Sequence, residues 1–98
     1  MSKREVEVKP LALKNLTTAY EWYEQQLKGL GEDFLEELDS VINFIVLNAE
    51  GCQKRYKDFR QAMLKRFPYV VVYEIEKTKV IVYNIINTRR SVRKRFKK

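Results

Sequence analysis

Residues 69–87, YVVVYEIEKTKVIVYNIIN, decide the fold of this 98-residue chain. Two runs rich in β-branched and aromatic residues, 69–76 and 79–87, flank a tight polar turn at Lys77 and Thr78, which predicts a β-hairpin. Successive side chains of a strand point to opposite faces, and neither face of this hairpin is polar enough to meet water along its whole length. We therefore expect helices to cover one face and the other to form a partly apolar surface.

The segments upstream of this hairpin complete a sheet and supply two helices. FRQAMLKRF (residues 59–67) predicts a strand, and REVEVK (residues 4–9) alternates charge with valine as a short half-buried strand does. Apolar residues at spacings of three and four predict one helix over about residues 10–27 and a second that closes near Gly51. Gly29 can take the left-handed conformation that separates them, and so short a connection predicts an antiparallel helical hairpin.

The element order is therefore β-α-α-β-β-β. It predicts an α+β fold in which the helical hairpin packs on one face of a small, mainly antiparallel twisted sheet. The length corresponds to a single domain, residues 1–98, with a basic C-terminal tail at residues 89–98.

The net charge of the chain is concentrated in that tail. The sequence has 20 basic and 13 acidic residues, a net charge of +7, and the tail holds seven basic residues and no acidic one. Residues 1–88 are consequently neutral overall. A basic block of this kind is typical both of an arm that contacts a polyanion and of a solvated terminus, and the pattern alone leaves both open.

Several kinds of chemistry have no residues to support them. The chain has one cysteine, Cys52, and no histidine, which excludes a thiol–histidine nucleophile and the usual zinc sites. We expect no metal and no cofactor. The N-terminus lacks the apolar segment of a signal peptide, and no apolar run approaches the roughly 20 residues that cross a bilayer. We therefore expect a cytoplasmic protein without a membrane partner.

Three stretches carry a resemblance to a known family: LALKNLTTAYEWYEQQLKGLGEDFLEEL (residues 11–38), RQAMLKRFPYVVVYEIE (residues 60–76) and VIVYNIINTRR (residues 80–90). In order and spacing they resemble the RelE/ParE superfamily of toxins from type II toxin-antitoxin modules, often called plasmid stabilisation proteins. The resemblance covers about residues 5–95 and implies the same fold. It also implies a cognate antitoxin as partner, rich in acidic and apolar residues, and leaves open whether the chain forms a homodimer.

The superfamily divides by activity. RelE-like members cleave messenger RNA on the ribosome, whereas ParE-like members inhibit DNA gyrase without a nuclease site. The residues that RelE-like ribonucleases use fall here on Gln61, Met63, Val70, Arg90 and Phe96. Only the arginine matches, and the other four side chains cannot exchange the protons or stabilise the phosphorane that cleavage requires.

The resemblance therefore favours a ParE-like toxin that acts by binding, with DNA gyrase as the expected target. The alternatives are a RelE-like ribosome-dependent mRNA endonuclease, whose catalytic groups would be Lys65, Arg66 and Arg90, and a degenerate homologue without toxicity. The candidate target-binding residues are Arg60, Lys65, Arg66, Arg89, Arg90 and Arg93. The alternative to target binding is that these charges lie at a strand edge and only discourage aggregation between strands. Trp22 lies off the apolar stripe of its helix and can mark a partner surface.

Overall fold

The structure, a computed structural model, describes residues 4–89, 95 and 96. Its elements are β1 (Glu5–Val8), α1 (Pro10–Gln26), α2 (Leu30–Leu47), a 3-10 turn (Ala49–Gly51), β2 (Lys54–Tyr56), β3 (Phe59–Met63), β4 (Tyr69–Glu76) and β5 (Lys79–Asn87). The predicted α+β fold is confirmed. The order is β-α-α-β-β-β-β, because β2 adds a short strand to those predicted.

The strands form one five-stranded sheet in the order β1-β5-β4-β3-β2. β1 runs parallel to β5, and the other three pairs are antiparallel. The pairing of β4 with β5 is irregular at one point. Val72 pairs with Asn84 and Tyr73 pairs with Val82, so two residues of β4 lie opposite three residues of β5. The extra residue, Tyr83, forms a β-bulge, which bends β5 beyond the end of β1.

The connection between the helices shows why they pack so closely. Gly29 adopts φ 92°, the left-handed conformation expected of it. The Glu24 carboxylate of α1 accepts the backbone N–H groups of Gly29 and Gly31, each at 3.0 Å, and so caps the start of α2. A Cβ atom at Gly31 would lie 2.8 Å from the Tyr20 carbonyl oxygen, so only glycine permits this approach.

The core divides between the two faces of the sheet as the alternation predicted. The helical hairpin packs on the face that carries Val71, Tyr73 and Ile75. The opposite face, called here the helix-free face because neither α1 nor α2 packs on it, carries a second buried cluster of Phe59, Val70, Val72, Ile81 and Tyr83. The sequence predicted a partly apolar surface on this face, but these side chains are buried, 0–8% exposed, and Phe96 packs against them.

Two local predictions were wrong. Strand β3 ends at Met63 rather than at residue 67, because the chain turns and the Leu64 N–H donates to the Tyr69 carbonyl oxygen at 3.0 Å. No strand was predicted at residues 54–56, which form β2 and pair with β3 in a hairpin. Its turn passes through Lys57 at φ 51°.

Candidate functional site

The candidate cations Lys65 and Arg66 lie on the loop of residues 64–68, which connects β3 to β4. This loop is tied to the end of β5, where the Thr88 N–H donates to the Pro68 carbonyl oxygen at 2.7 Å. On the other side, the Glu37 carboxylate of α2 accepts the backbone N–H groups of Lys65 and Arg66, both at 3.0 Å. The loop is therefore held from two directions, while both basic side chains are exposed.

The Arg66 side chain is only lightly engaged. Its guanidinium lies 3.5 Å from the Asp33 carboxylate and 5.4 Å from the centre of the Phe67 ring. It remains 62% exposed, and ion pairs that exposed contribute little to stability. Arg66 can therefore exchange Asp33 for an external anion at small cost.

Arg89 lies at the same end of the sheet, just after β5. Its backbone N–H donates to the Asn87 side-chain oxygen at 2.8 Å, and its own side chain is exposed. It lines a cleft with Trp22 and Tyr23 of α1 and Tyr69 of β4. Burial and the neighbouring Tyr69 raise the pKa of Tyr23, and the charge of Arg89 opposes that rise.

Arg60 is separate from these cations. It lies near the opposite end of β3, and Lys65 follows the end of that strand. Its guanidinium donates to the carbonyl oxygens of Cys52 at 2.5 Å and Glu50 at 3.3 Å, which fastens the segment between α2 and β2. Arg60 and Arg66 do not share a strand as the predicted strand of residues 59–67 required, because β3 ends at Met63. Arg90 and Arg93 lie outside the described residues.

Four of the five positions that correspond to a RelE-like nuclease site, Gln61, Met63, Val70 and Phe96, lie on or beside the helix-free face, and the fifth, Arg90, lies outside the described residues. Gln61 pairs with Val72 and Met63 pairs with Val70, which places them beside the buried cluster of that face. Phe96 packs on this cluster, with ring centres 5.5 Å from both Tyr56 and Phe59. Among the described residues, the side chains packed around these positions are apolar and aromatic.

Asn84 connects this C-terminal contact to the helices. It is 1% exposed; its side-chain oxygen accepts a 2.7 Å hydrogen bond from Asn15 of α1, and its amide donates to the Arg95 carbonyl oxygen at 3.4 Å. The Arg95 guanidinium in turn donates to the Thr88 carbonyl oxygen at 2.7 Å. The Arg95 guanidinium thus binds the chain just after β5, and the Phe96 ring packs on the sheet.

A groove of about 1040 Å³ separates α2 from strand β3. Within the described chain, residues 61–63 have no strand on the side away from β4, since β2 pairs only with Phe59 and Arg60. We call this feature the edge groove. Its helix wall carries Asp33, Glu36, Glu37, Asp39 and the 52% exposed Phe44, and Lys65 and Arg66 lie at its end.

Two other kinds of site have no counterpart in residues 4–89, 95 and 96. No group of three or more acidic or cysteine side chains there is arranged to hold a metal ion. No helix in the same residues has the length and hydrophobicity needed to span a membrane.

Comparison with known proteins agrees with this architecture. A solved structure described as the chromosomal ParDE TA system from P. aeruginosa superimposes with a TM-score of 0.76 at 12% sequence identity, covering 87% of this chain and 96% of that one. No curated protein sequence matches the chain. At such low identity the superposition defines the class of fold, a two-helix hairpin on a mixed sheet as in ParE toxins.

The family follows from the sequence itself. Residues 6–92 match the family model described as the ParE toxin of the type II toxin-antitoxin system, parDE. The chain therefore belongs to the ParE toxin family, and the resemblance to the RelE/ParE superfamily is confirmed.

Proposed function

We propose that this protein is a growth-inhibiting toxin that acts by binding its target, DNA gyrase, in the cytoplasm, and that a cognate antitoxin neutralises it. Family membership supports the toxin role. The observation that supports binding rather than catalysis is the identity of the side chains on the helix-free face. The nuclease positions on or beside that face are Gln61, Met63, Val70 and Phe96, and none of these four side chains transfers a proton or carries a positive charge.

The target-binding surface in this proposal is the end of the sheet that carries Lys65, Arg66 and Arg89. The Thr88–Pro68 hydrogen bond holds the loop of residues 64–68 against the end of β5, and all three side chains are exposed. Arg90 and Arg93 follow in the same basic tail. Arg60 contributes to the fold rather than to this surface, because its guanidinium is used by two carbonyl groups.

The test is induced expression in bacteria without an antitoxin, with growth, the DNA damage response and transcript integrity followed in one culture. We expect arrest with DNA damage signalling and intact transcripts. Arrest with transcripts cut at codon-spaced sites would instead identify a ribosome-dependent endonuclease. Normal growth would identify a homologue without toxicity.

A charge-reversed pair tests the surface. Arg89→Glu with Arg90→Glu is expected to abolish arrest while leaving the thermal unfolding transition unchanged. Lys54→Glu with Arg55→Glu is the matched control, because it makes the same change in net charge on the exposed strand β2. Equal toxicity of the Arg89/Arg90 variant and the wild type would show that the tail has no part in target binding.

The edge groove is the surface we assign to the antitoxin. The unpaired edge of β3 can accept a strand from another chain, and Phe44 offers an apolar contact beside it. Because the α2 wall is acidic, the segment that lies along it should carry basic residues, and the acidic residues expected of the antitoxin should face Lys65 and Arg66. Phe44→Glu is expected to escape neutralisation, and Leu47→Glu, equally exposed on α2 but outside the groove, to remain neutralised.

A further inference from the structure

An aromatic cleft of about 430 Å³ lies between α1 and the end of β5, outside the edge groove and away from the helix-free face. The rings of Trp22, Tyr23 and Tyr69 line it, together with Pro68 and Arg89. Its volume falls within the range of about 300–1,000 Å³ that is usual for sites that bind small ligands. Of its lining residues the proposed target-binding surface uses only Arg89, and it assigns no role to the aromatic rings.

Trp22 presents an available ring surface in this cleft. The side chain is 55% exposed, and its ring meets Tyr23 at an interplanar angle of 82°, with centres 5.1 Å apart. An edge-to-face contact of this kind uses at most one face of the indole. At least one face of Trp22 is therefore free of that contact and can receive another flat ring.

The wall behind Trp22 is rigid. Tyr23 also contacts the rings of Phe34, Phe67 and Tyr69, with centres 5.4, 4.8 and 6.2 Å away. Because these rings belong to both helices, to the loop of residues 64–68 and to β4, the cleft is formed before any ligand binds. Such preorganisation lowers the entropy that a ligand must lose on binding.

The charge of the cleft favours an anion. Arg89 is its one charged lining residue within the described part of the chain, and no acidic side chain lines it. Arg89 also begins the tail of seven basic residues that contains the whole net charge of the protein. The ligand should therefore combine a flat aromatic group with a chain of negative charges.

We propose that the aromatic cleft binds a single-stranded segment of nucleic acid, with a base stacked on Trp22 and the adjoining phosphate paired with Arg89. A duplex keeps its bases stacked on one another and cannot present a base face to Trp22. An acidic peptide without aromatic residues would satisfy Arg89 but would leave the exposed indole without a matching ring. This binding goes beyond the proposed function, since it requires neither gyrase nor toxicity.

The chain carries its own probe for this interaction, because Trp22 is its only tryptophan. We expect oligothymidylate of about twelve nucleotides, within the usual range of single-strand site sizes, to quench Trp22 fluorescence. A duplex of equal charge should quench it far less. A parallel titration with oligouridylate distinguishes DNA from RNA, since equal affinities mean that the 2′-hydroxyl is not read.

Variants separate stacking from charge in an anisotropy assay with labelled oligothymidylate. Trp22→Ala is expected to weaken binding roughly 5- to 150-fold, the range for loss of one base–aromatic stack, and Trp22→Phe should restore most of it. Arg89→Gln should lower the slope of log affinity against log salt by about 0.7, as loss of one single-strand phosphate contact does. Arg55→Gln, which removes an exposed charge from β2, should leave the slope unchanged.

Three results would overturn the proposal: no quenching by single strands, equal affinity of Trp22→Ala and wild type, or equal quenching by polyglutamate at matched charge. The last would identify an acidic protein segment as the ligand. Growth arrest in cells is scored separately, so failure here leaves the proposed toxin function standing, and failure of toxicity leaves this binding testable.

Discussion

Removing the Tyr73 hydroxyl should measure how much the connection between α2 and β2 depends on one buried hydrogen bond. Tyr73 and Ala49 are both 0% exposed, and the hydroxyl donates to the Ala49 carbonyl oxygen at 2.8 Å. Burial, followed by a hydrogen bond with Cys52, raises the pKa of Tyr73, so the hydroxyl stays protonated and remains a donor at every working pH. Tyr73→Phe keeps the ring and leaves the carbonyl oxygen without its donor.

The expected loss of stability can be sized from that geometry. Leaving a buried acceptor unsatisfied costs about 1–3 kcal/mol of unfolding free energy. Part of this cost is offset, because phenylalanine has no hydroxyl group to desolvate on folding. Taking about 2 kcal/mol, and about 4–8 °C per kcal/mol for a domain of this size, the unfolding midpoint should fall by roughly 8–16 °C.

The assay is thermal unfolding followed by circular dichroism, repeated with urea to confirm that the m-value is unchanged. Tyr56→Phe is the control, since Tyr56 is 48% exposed on β2 and its change should stay within about 0.5 kcal/mol. If Tyr73→Phe were as stable as Tyr56→Phe, the Ala49 carbonyl must find another donor, and the hydroxyl would not secure this connection.

Two further changes test other parts of the fold. Hydrogen bonds from Lys9 and then Lys79 lower the pKa of Glu7 to about 2 from its ordinary 4.5, so its contribution to stability is complete above pH 4.5 and lost as the pH falls towards 2. Glu7→Gln should therefore lower the melting temperature at neutral pH but not near pH 2, and a difference independent of pH would contradict this. Gly31→Ala places a Cβ 2.8 Å from the Tyr20 carbonyl oxygen; the overpacking cost of about 1–3 kcal/mol should outweigh the ~1 kcal/mol that alanine gains in a helix. Urea denaturation of Gly31→Ala measures the balance, and a variant more stable than the wild type would contradict the prediction, because it would show that the helices accommodate the Cβ at little cost.

The main elements could be predicted from the sequence because their signals are local. Branched apolar runs on either side of Lys77 and Thr78 define the hairpin of β4 and β5, and Gly29 marks the helix boundary by a conformation that few other residues adopt. β2 was missed because its three residues are all exposed and carry no apolar alternation. The early end of β3 was missed because the Glu37 carboxylate that holds the following loop belongs to α2, 28 residues upstream of Lys65.

The candidate site shows the same limit more strongly. The sequence grouped Arg60 with Lys65, Arg66 and Arg89 because all four carry a positive charge, but the structure gives the Arg60 guanidinium different partners. Its partners are two backbone carbonyl groups, which a sequence does not mark. Likewise, the spacing of Trp22 showed that it lies off the core, but only the fold places it in one cleft with Arg89.

The positions of the two proposed surfaces suggest how neutralisation could work without a change of fold. Lys65 and Arg66 belong to the proposed target-binding surface and also line the end of the edge groove. A segment seated in that groove would cover them, and a partner carboxylate could replace Asp33 at Arg66, whose exposed 3.5 Å contact is weak. Arg89 lines the aromatic cleft rather than the groove. Covering the loop of residues 64–68 would therefore remove part of the cationic surface while leaving the cleft open. On these proposals, neutralisation depends on occlusion of Lys65 and Arg66, since the hydrogen bonds to Glu37 and Thr88 already hold their loop in place.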